Sequence, residues 1–404
     1  MPVLTKINTN VIADDAITGD KFAGDAYLSN TANQNISGTY AESRMYTSDA
    51  YTLSGNTTVN GNLTLSTVKS TGDVVLTASG AYTITGTGIL EAGIFWGKDS
   101  VKHPELPTVP TYIVATGPDG AVGTIVGDYK VHTFTATKTG SNGFAVSSVG
   151  NAEGSNTVEY LVVAGGGAGG KWHASGGGAG GFRTATNLSV SVQNYDVTIG
   201  AGGSSVSSNG QGGDGSDSTF SIITSTGGGG GGYYGDPNGV AGRSGGSGGG
   251  AGTSGASNPG AAGAGNEGGF FPVEGHSGGA GGRSGNIGGA GGGGAGEAGT
   301  AMGSRANQIA GDGGNGLMFN TSPINPSAGS YYAGGGGGTT GNEGEGAKRE
   351  GRGGLGGGGA GGLVNVNGHN GEVNTGGGGG GCGSGANGSG AGGSGIVIIR
   401  YKFQ

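Results

Sequence analysis

The chain has a single cysteine, Cys382, among 404 residues. One thiol closes no internal disulfide and builds no thiolate metal cluster, so nothing covalent staples the fold. Charge is scarce too: Asp, Glu, Lys and Arg together make 11% of the residues, fewer than disordered chains usually carry. What charge there is sums to −8, which opposes general binding to nucleic acid or to an anionic membrane surface. No apolar window approaches the roughly 18 residues that a membrane-spanning helix needs. Met1-Pro2-Val3-Leu4-Thr5-Lys6 lacks the apolar core of a signal peptide. The five histidines, His103, His132, His173, His276 and His369, are dispersed without metal-ligand spacing.

Glycine is what the chain has instead. It supplies 109 residues, and all but 19 of them lie from Tyr160 onward. They gather in runs at 165–170, 227–232, 291–294, 334–338, 356–359 and 376–381, with no Gly-X-Y period, so collagen is excluded. A β-prone segment opens the block, Val158-Glu159-Tyr160-Leu161-Val162-Val163, and another closes it, Ile396-Val397-Ile398-Ile399-Arg400-Tyr401. Two β-branched segments in those positions read as paired strands that pin the block shut. The runs themselves are poor helix and poor strand: each glycine costs about 1 kcal/mol in a helix and offers a sheet no side chain to pack. Polyproline II geometry remains, with three residues per turn and every N–H and C=O turned sideways. Packed side by side, such polyglycine II helices satisfy one another's backbones without a side-chain core. Ala168 and Ala179, in the repeated Gly-Gly-Gly-Ala-Gly-Gly text, are expected where a helix faces outward.

The text Val131-His132-Thr133-Phe134-Thr135, then Val158 to Gly167, Gly180-Gly181-Phe182-Arg183 and Gly392-Gly393-Ser394-Gly395-Ile396-Val397-Ile398-Ile399-Arg400-Tyr401 resembles the glycine-rich domain of bacteriophage tail-fibre proteins. The resemblance covers roughly residues 130–404. It extends in kind to the tip adhesins of T-even-type phages, whose glycine-rich domain is a sandwich of polyglycine II helices with receptor-binding loops at its outer end. Val11-Ile12-Ala13-Asp14-Asp15-Ala16-Ile17-Thr18-Gly19-Asp20-Lys21 likewise looks like the N-terminal text of phage fibre proteins.

Four regions follow. Residues 1–45 are polar and are expected to attach the protein to a virion structural protein. Residues 46–110 hold short alternating β text and a linker with Pro104, Pro107 and Pro110. Asn60-Gly61 lies between two such runs and predicts a hairpin. The β text is too thin for a monomeric core, so three copies wound about one axis are expected to form a stalk. Residues 111–160 read as a small β unit and 161–404 as the glycine-rich domain. Tyr195 to Ile199 and Phe220 to Ile223 are expected to extend the sheet made by the framing strands.

Glycine text generates false motifs. Gly245-Gly246-Ser247-Gly248-Gly249 lacks the strand-to-helix context of a nucleophile elbow. Residues 165–171 have P-loop spacing, but Trp172 stands where Ser or Thr must hold magnesium. Asp214 and Asp217 fit the start of one calcium nonapeptide unit without the tandem copies such a site needs, and read as a turn. Glu343, Glu345 and Glu350, beside Lys348 and Arg349, read as a solvated loop rather than a glycosidase pair.

The bulky residues are excluded from the runs and collect in the inserts between them: Trp172, His173, Tyr233, Tyr234, Phe270, Phe271, Tyr331, Tyr332 and His369. Aromatics with Asn and Ser are the vocabulary of binding loops on rigid scaffolds. They are the candidate receptor-binding residues; the competing reading makes them caps over the open ends of the glycine bundle. The expectation is a mostly β protein with a polyglycine II helix bundle, an elongated trimeric fibre with an N-terminal β stalk. It would be made in the host cytoplasm, carried on a virion released by lysis, and bind a host surface glycan or an outer-membrane protein. Neither catalysis nor a cofactor is expected. A capsid-attached head fibre is the nearest alternative. An ice-binding structural protein is more remote, because aromatic inserts spoil a flat face.

Overall fold

The computed structural model describes residues 110–404 except 255–257, 283–287, 304–308, 321–328 and 341–348, together with the backbone of seven strands between residues 35 and 96. The attachment text at 11–21, Pro104, Pro107, His103 and the Glu343, Glu345 and Lys348 loop lie outside the described residues. The chain divides into two compact units, Met1–Leu106 and Pro107–Gln404. Its described structure is mostly β, in open sheets, with helix confined to single 3₁₀ turns at Pro118–Gly120 and Gly140–Asn142.

In the first unit the strands are β1 (Asn35–Ala41), β2 (Tyr51–Asn60), β3 (Leu63–Leu65), β4 (Val68–Ser70), β5 (Val74–Leu76), β6 (Tyr82–Ile84) and β7 (Ile94–Trp96). All of their ladders are parallel: β1 with β2, β2 with β4, β3 with β6, β5 with β7. The hairpin expected at Asn60-Gly61 does not form, because β2 and β3 each pair elsewhere. A turn sequence permits a hairpin, but an apolar face sets the register. Around Asn60-Gly61 only Val59, Leu63 and Leu65 could supply one.

The second unit holds β8 (Val114–Thr116), β9 (Thr124–Val126), β10 (Tyr129–Phe134), β11 (Phe144–Ser148), β12 (Thr157–Val163), β13 (Phe182–Ser189), β14 (Asn194–Tyr195), β15 (Val197–Thr198), β16 (Ser218–Phe220), β17 (Ile223–Ser225), β18 (Leu317–Phe319), β19 (Ser330–Tyr332) and β20 (Ile396–Lys402). The framing strands are neighbours. β12 and β20 pair antiparallel, Leu161 against Ile398, in the centre of a sheet ordered β13-β12-β20-β10-β9. Both faces of that sheet are covered, which is why consecutive residues are apolar at Tyr160 to Val163 and at Ile396 to Ile399. Tyr160, Val162, Val397, Ile399 and Tyr401 face a core completed by Ile113, Phe134, Phe144, Tyr195 and Phe220. Leu161, Val163, Ile396 and Ile398 face the other way, onto Phe182 and onto Phe319 and Tyr332 of the β18–β19 hairpin. The segments around Tyr195 and Phe220 do not extend the framing sheet. They form two small sheets, β14-β11-β8 and β15-β16-β17, that pack across its face. Their aromatic rings can be buried only by lying on the sheet rather than beside it.

Between the framing strands the glycine runs are neither helix nor strand, yet their backbones are paired in a repeating order. Successive N–H groups at 165, 166 and 167 donate to Ser216, Gly393 and Gly178; those at 168, 169 and 170 donate to Gly213, Gly390 and Ser175 of the same three segments. The direction of bonding thus returns every third residue. Residues 176–181 follow the same rule, donating in turn to 290, 379 and 229 and then to 293, 376 and 226. They also accept from Gly167, Ser247 and Gly336, so six segments hydrogen-bond to this one run. Ala168 and Ala179, expected to face outward, are fully buried. Further layers flank both: Ala168 donates to Gly213 and accepts from Gly231, and Ala179 lies in the apolar cluster with Phe182 and Ala295.

Where a neighbouring run is missing, a side chain takes its place. Asp217 and Asp214 carboxylates accept from Gly227 N–H and Gly230 N–H, each at 2.8 Å. Asp312 and Asn315 accept from Arg352 N–H and Leu355 N–H; Asn367 and Asn370 accept from Gly388 N–H and Ala391 N–H. The three pairs are Asp or Asn spaced three residues apart, matching the three-residue return of the backbone bonds. The calcium candidates Asp214 and Asp217 therefore spend an oxygen each on the backbone, and Asp214 also accepts from Arg243 at 2.9 Å.

His132 gives the fold a pH dependence. It is buried in the sandwich, with Nε2 on Tyr401 Oη at 3.3 Å, and that hydroxyl donates to Ala115 O. Burial, with Lys130 nearby, lowers its pKa to about 4, while burial pushes Tyr401 up to about 12. A histidine whose folded pKa lies below the unfolded value of about 6.5 is protonated first in the unfolded chain. Its contribution is intact above pH 6.5 and is lost as pH falls toward 4, by roughly 3 kcal/mol. The denaturation midpoint is expected to fall between pH 7.5 and 4.5, and less steeply in His132→Gln. Parallel slopes in the two proteins would count against this assignment.

Candidate functional site

The runs alternate direction, so the inserts between them lie at two opposite ends of the block. One end carries the framing sheet. The other is reached at Gly170, where the first run turns back: Gly170 N–H donates to Ser175 O. Trp172 and His173 are in this turn. The run at 227–232 ends beside it, since Ser175 N–H donates to Gly232 O and Tyr234 N–H donates to Trp172 O at 3.2 Å. Tyr233 and Tyr234 therefore join Trp172 and His173 at the end away from the sheet.

There the rings form a cluster. Trp172 and Tyr234 meet edge to face, centroids 5.4 Å apart at 62°. His173 lies against both, 6.0 Å from Trp172 and 6.1 Å from Tyr234. His173 is buried and its Nδ1 has no hydrogen-bond partner among the described residues. Burial lowers its pKa to about 4, so the imidazole is neutral at physiological pH. Trp172, Tyr233 and Tyr234 are half-buried. Beside them, the Lys171 ammonium donates to Ser207 O at 2.6 Å. Four residues beyond Tyr234, exposed Asn238 bridges in parallel to Asn258, whose amide donates to Asn238 Oδ1 at 3.1 Å. Asn258 is a member of this surface that the sequence does not reveal: it lies 20 residues away in a different insert.

The backbone of the turn is unusual. Trp172 and His173 are consecutive residues in the left-handed region, at φ 81° and 49°. Most other non-glycine residues with positive φ are Asn or Asp: Asp119, Asn187, Asn266, Asn365 and Asn374. Those side chains tolerate the region; a bulky ring there costs of order 1–2 kcal/mol. Glycine would remove that cost, in a chain that uses 109 of them.

The remaining candidates lie elsewhere. Phe270 and Phe271 are at the sheet end. The Phe270 ring lies 4.0 Å from the Arg183 guanidinium, and Asn266 Oδ1 accepts from both Phe270 N–H and Glu274 N–H. Glu274 is fully buried, accepts from Thr226 N–H, and has its pKa raised by burial. Phe271 projects almost fully exposed. Tyr331 and Tyr332 are in β19, also at the sheet end; Tyr332 packs on the core cluster, and Tyr331 is exposed. His369 is exposed on a flank, its carbonyl accepting from Gly380 N–H. The structure thus brings four of the nine candidates together, puts four at the opposite end and leaves one between.

Among the described residues, no group of three His, Cys, Asp or Glu is placed to hold a metal ion. No described helix is long and apolar enough to cross a membrane. Residues 139–402 match the family model described as the glycine-rich domain. No curated protein matches the chain.

Proposed function

This chain belongs to the glycine-rich domain family, and from that premise we propose that it is a bacteriophage fibre protein. Residues 1–45 attach it to a virion structural protein, residues 46–95 associate as a trimeric stalk, and the glycine-rich domain is a polyglycine II bundle. The end of that bundle away from the sheet contacts the host surface, on a glycan or an outer-membrane protein. The three-residue return of the backbone bonds supports the bundle, because it is the period of a polyglycine II helix. Its six-neighbour run supports a solid scaffold rather than a linker.

The observation that carries the functional reading is the Trp172-His173 turn. Two bulky residues hold a backbone conformation that glycine would adopt freely, and they present rings together with Tyr234. Strain retained where it is easily relieved points to the side chains themselves as what the turn is for. A scaffold whose backbone bonds need no side chains is also free to vary its inserts. Electron microscopy of virions decorated with an antibody to the 107–404 unit tests the reading: label is expected at fibre tips. Sedimentation of the full chain is expected to give a trimer that dissociates when residues 46–95 are deleted. Absence of label from the particle, or a full-length monomer, contradicts it.

A further inference from the structure

The end of the block that carries Trp172 differs from the sheet end in chemistry as well as in place. At the sheet end, the exposed aromatic Phe271 stands beside a Phe270 already stacked on Arg183. At the far end, Trp172 and Tyr234 make an L-shaped corner, edge to face at 62°. The group behind that corner is a buried, neutral imidazole, so it offers no charge to a ligand. Lys171, the residue before Trp172, donates one ammonium N–H to the Ser207 carbonyl. The acid of the same insert, exposed Asp236, discourages an anionic partner. Polar capacity comes from amides: Asn238 and Asn258 use one hydrogen bond on each other and keep further donors and acceptors toward water.

We infer that this corner binds a neutral sugar ring of a host surface glycan, an inference that rests on the reading of this end as the host-contacting surface. A pyranose has one face of C–H groups and a periphery of hydroxyls. The C–H face is apolar enough to lie on a Trp or Tyr ring, and the hydroxyls match side-chain amides that both donate and accept. A uronic or sialic acid would bring a carboxylate to a place where, among the described residues, Lys171 already has one ammonium N–H on the Ser207 carbonyl and exposed Asp236 offsets its charge. A protein loop would draw most of its affinity from an anchor sunk in a desolvated pocket, whereas Trp172 and Tyr234 are half-buried and form an open corner.

The test uses the full chain with Trp96→Phe, which leaves Trp172 as its only tryptophan. Methyl glucoside, methyl galactoside and methyl mannoside are titrated against its fluorescence, with galacturonic acid as the charged counterpart. At least one neutral glycoside is expected to give a saturable change near the millimolar range usual for so few atoms. Galacturonic acid is expected to give none. Tyr234→Ala is expected to abolish the change, and Asn258→Ala to weaken it fivefold or more. In parallel, labelled chain is bound to bacteria after periodate or protease treatment. Loss of binding after periodate alone supports the inference. Binding that survives periodate but is lost both after protease and in the Trp172→Ala, Tyr233→Ala, Tyr234→Ala protein overturns the sugar and leaves the host-contacting end in place. Binding that is unchanged in that triple variant overturns the reading of this end altogether.

Discussion

Gly177→Ala is expected to destabilise the 107–404 unit by about 3 kcal/mol or more, a fall in melting temperature of about 6 °C or more. Gly177 lies in the run that six segments surround. Its N–H donates to Gly379 O and its carbonyl accepts from Gly336 N–H, both at 2.9 Å. A methyl at this position would lie 2.2 Å from Gly167 O and 2.6 Å from Ala168 O. Those are backbone atoms of a paired run, so no side chain can rotate away to make room. Overpacking an ordinary core costs about 1–3 kcal/mol because neighbours adjust; here adjustment means moving a hydrogen-bonded backbone. Gly210→Ala is the control. The nearest atom to its added methyl is Ser208 O at 3.6 Å, an ordinary contact. That substitution is expected to be neutral or to stabilise by up to about 1 kcal/mol through the unfolded chain. Thermal unfolding of the two proteins checks the difference, and equal melting temperatures would contradict close packing of the glycine runs.

The framing strands were legible because each carries a run of four apolar residues, Tyr160 to Val163 and Ile396 to Ile399, which a sheet covered on both faces requires. The runs were legible by elimination, since glycine is unsuited to both helix and strand. What neighbours each run finds was not legible. A glycine carries no side chain to mark its partner, and the segments bonded to residues 176–181 come from positions between 164 and 379. The same anonymity misplaced Ala168 and Ala179: the spacing of a methyl shows that it is tolerated, not whether another layer covers it. One signal was present and unread. Asp214 with Asp217, Asp312 with Asn315 and Asn367 with Asn370 stand three apart in glycine text, and each pair supplies the acceptors of an absent neighbouring run. In the candidate site, the sequence marked which inserts carry rings but not which end each reaches. That depends on how many times the chain has reversed, a sum over every turn before it.

The largest functional effect is expected from Trp172→Ala combined with Tyr233→Ala and Tyr234→Ala, which should abolish adsorption to host cells while the unit stays folded. Truncating one anchor aromatic commonly costs about 2 kcal/mol or more of binding. Three copies on a trimeric fibre would compound that loss through avidity. Stability should change little, because the backbone bonds at this end do not pass through the rings: Gly170 to Ser175, Ser175 to Gly232 and Ala174 to Cys382 all remain. Alanine keeps the Cβ that makes positive φ costly, so the turn neither gains nor loses on that account. If the rings instead cap the open end of the bundle, the opposite follows: the melting temperature falls and the folded fraction still adsorbs. Phe271→Ala with Tyr331→Ala separates the two ends. Both side chains are exposed beside the sheet, and their removal is expected to leave adsorption intact. Measuring melting temperature and adsorption on both variants decides the matter, and adsorption lost only in the Phe271 and Tyr331 protein would move the contact surface to the sheet end.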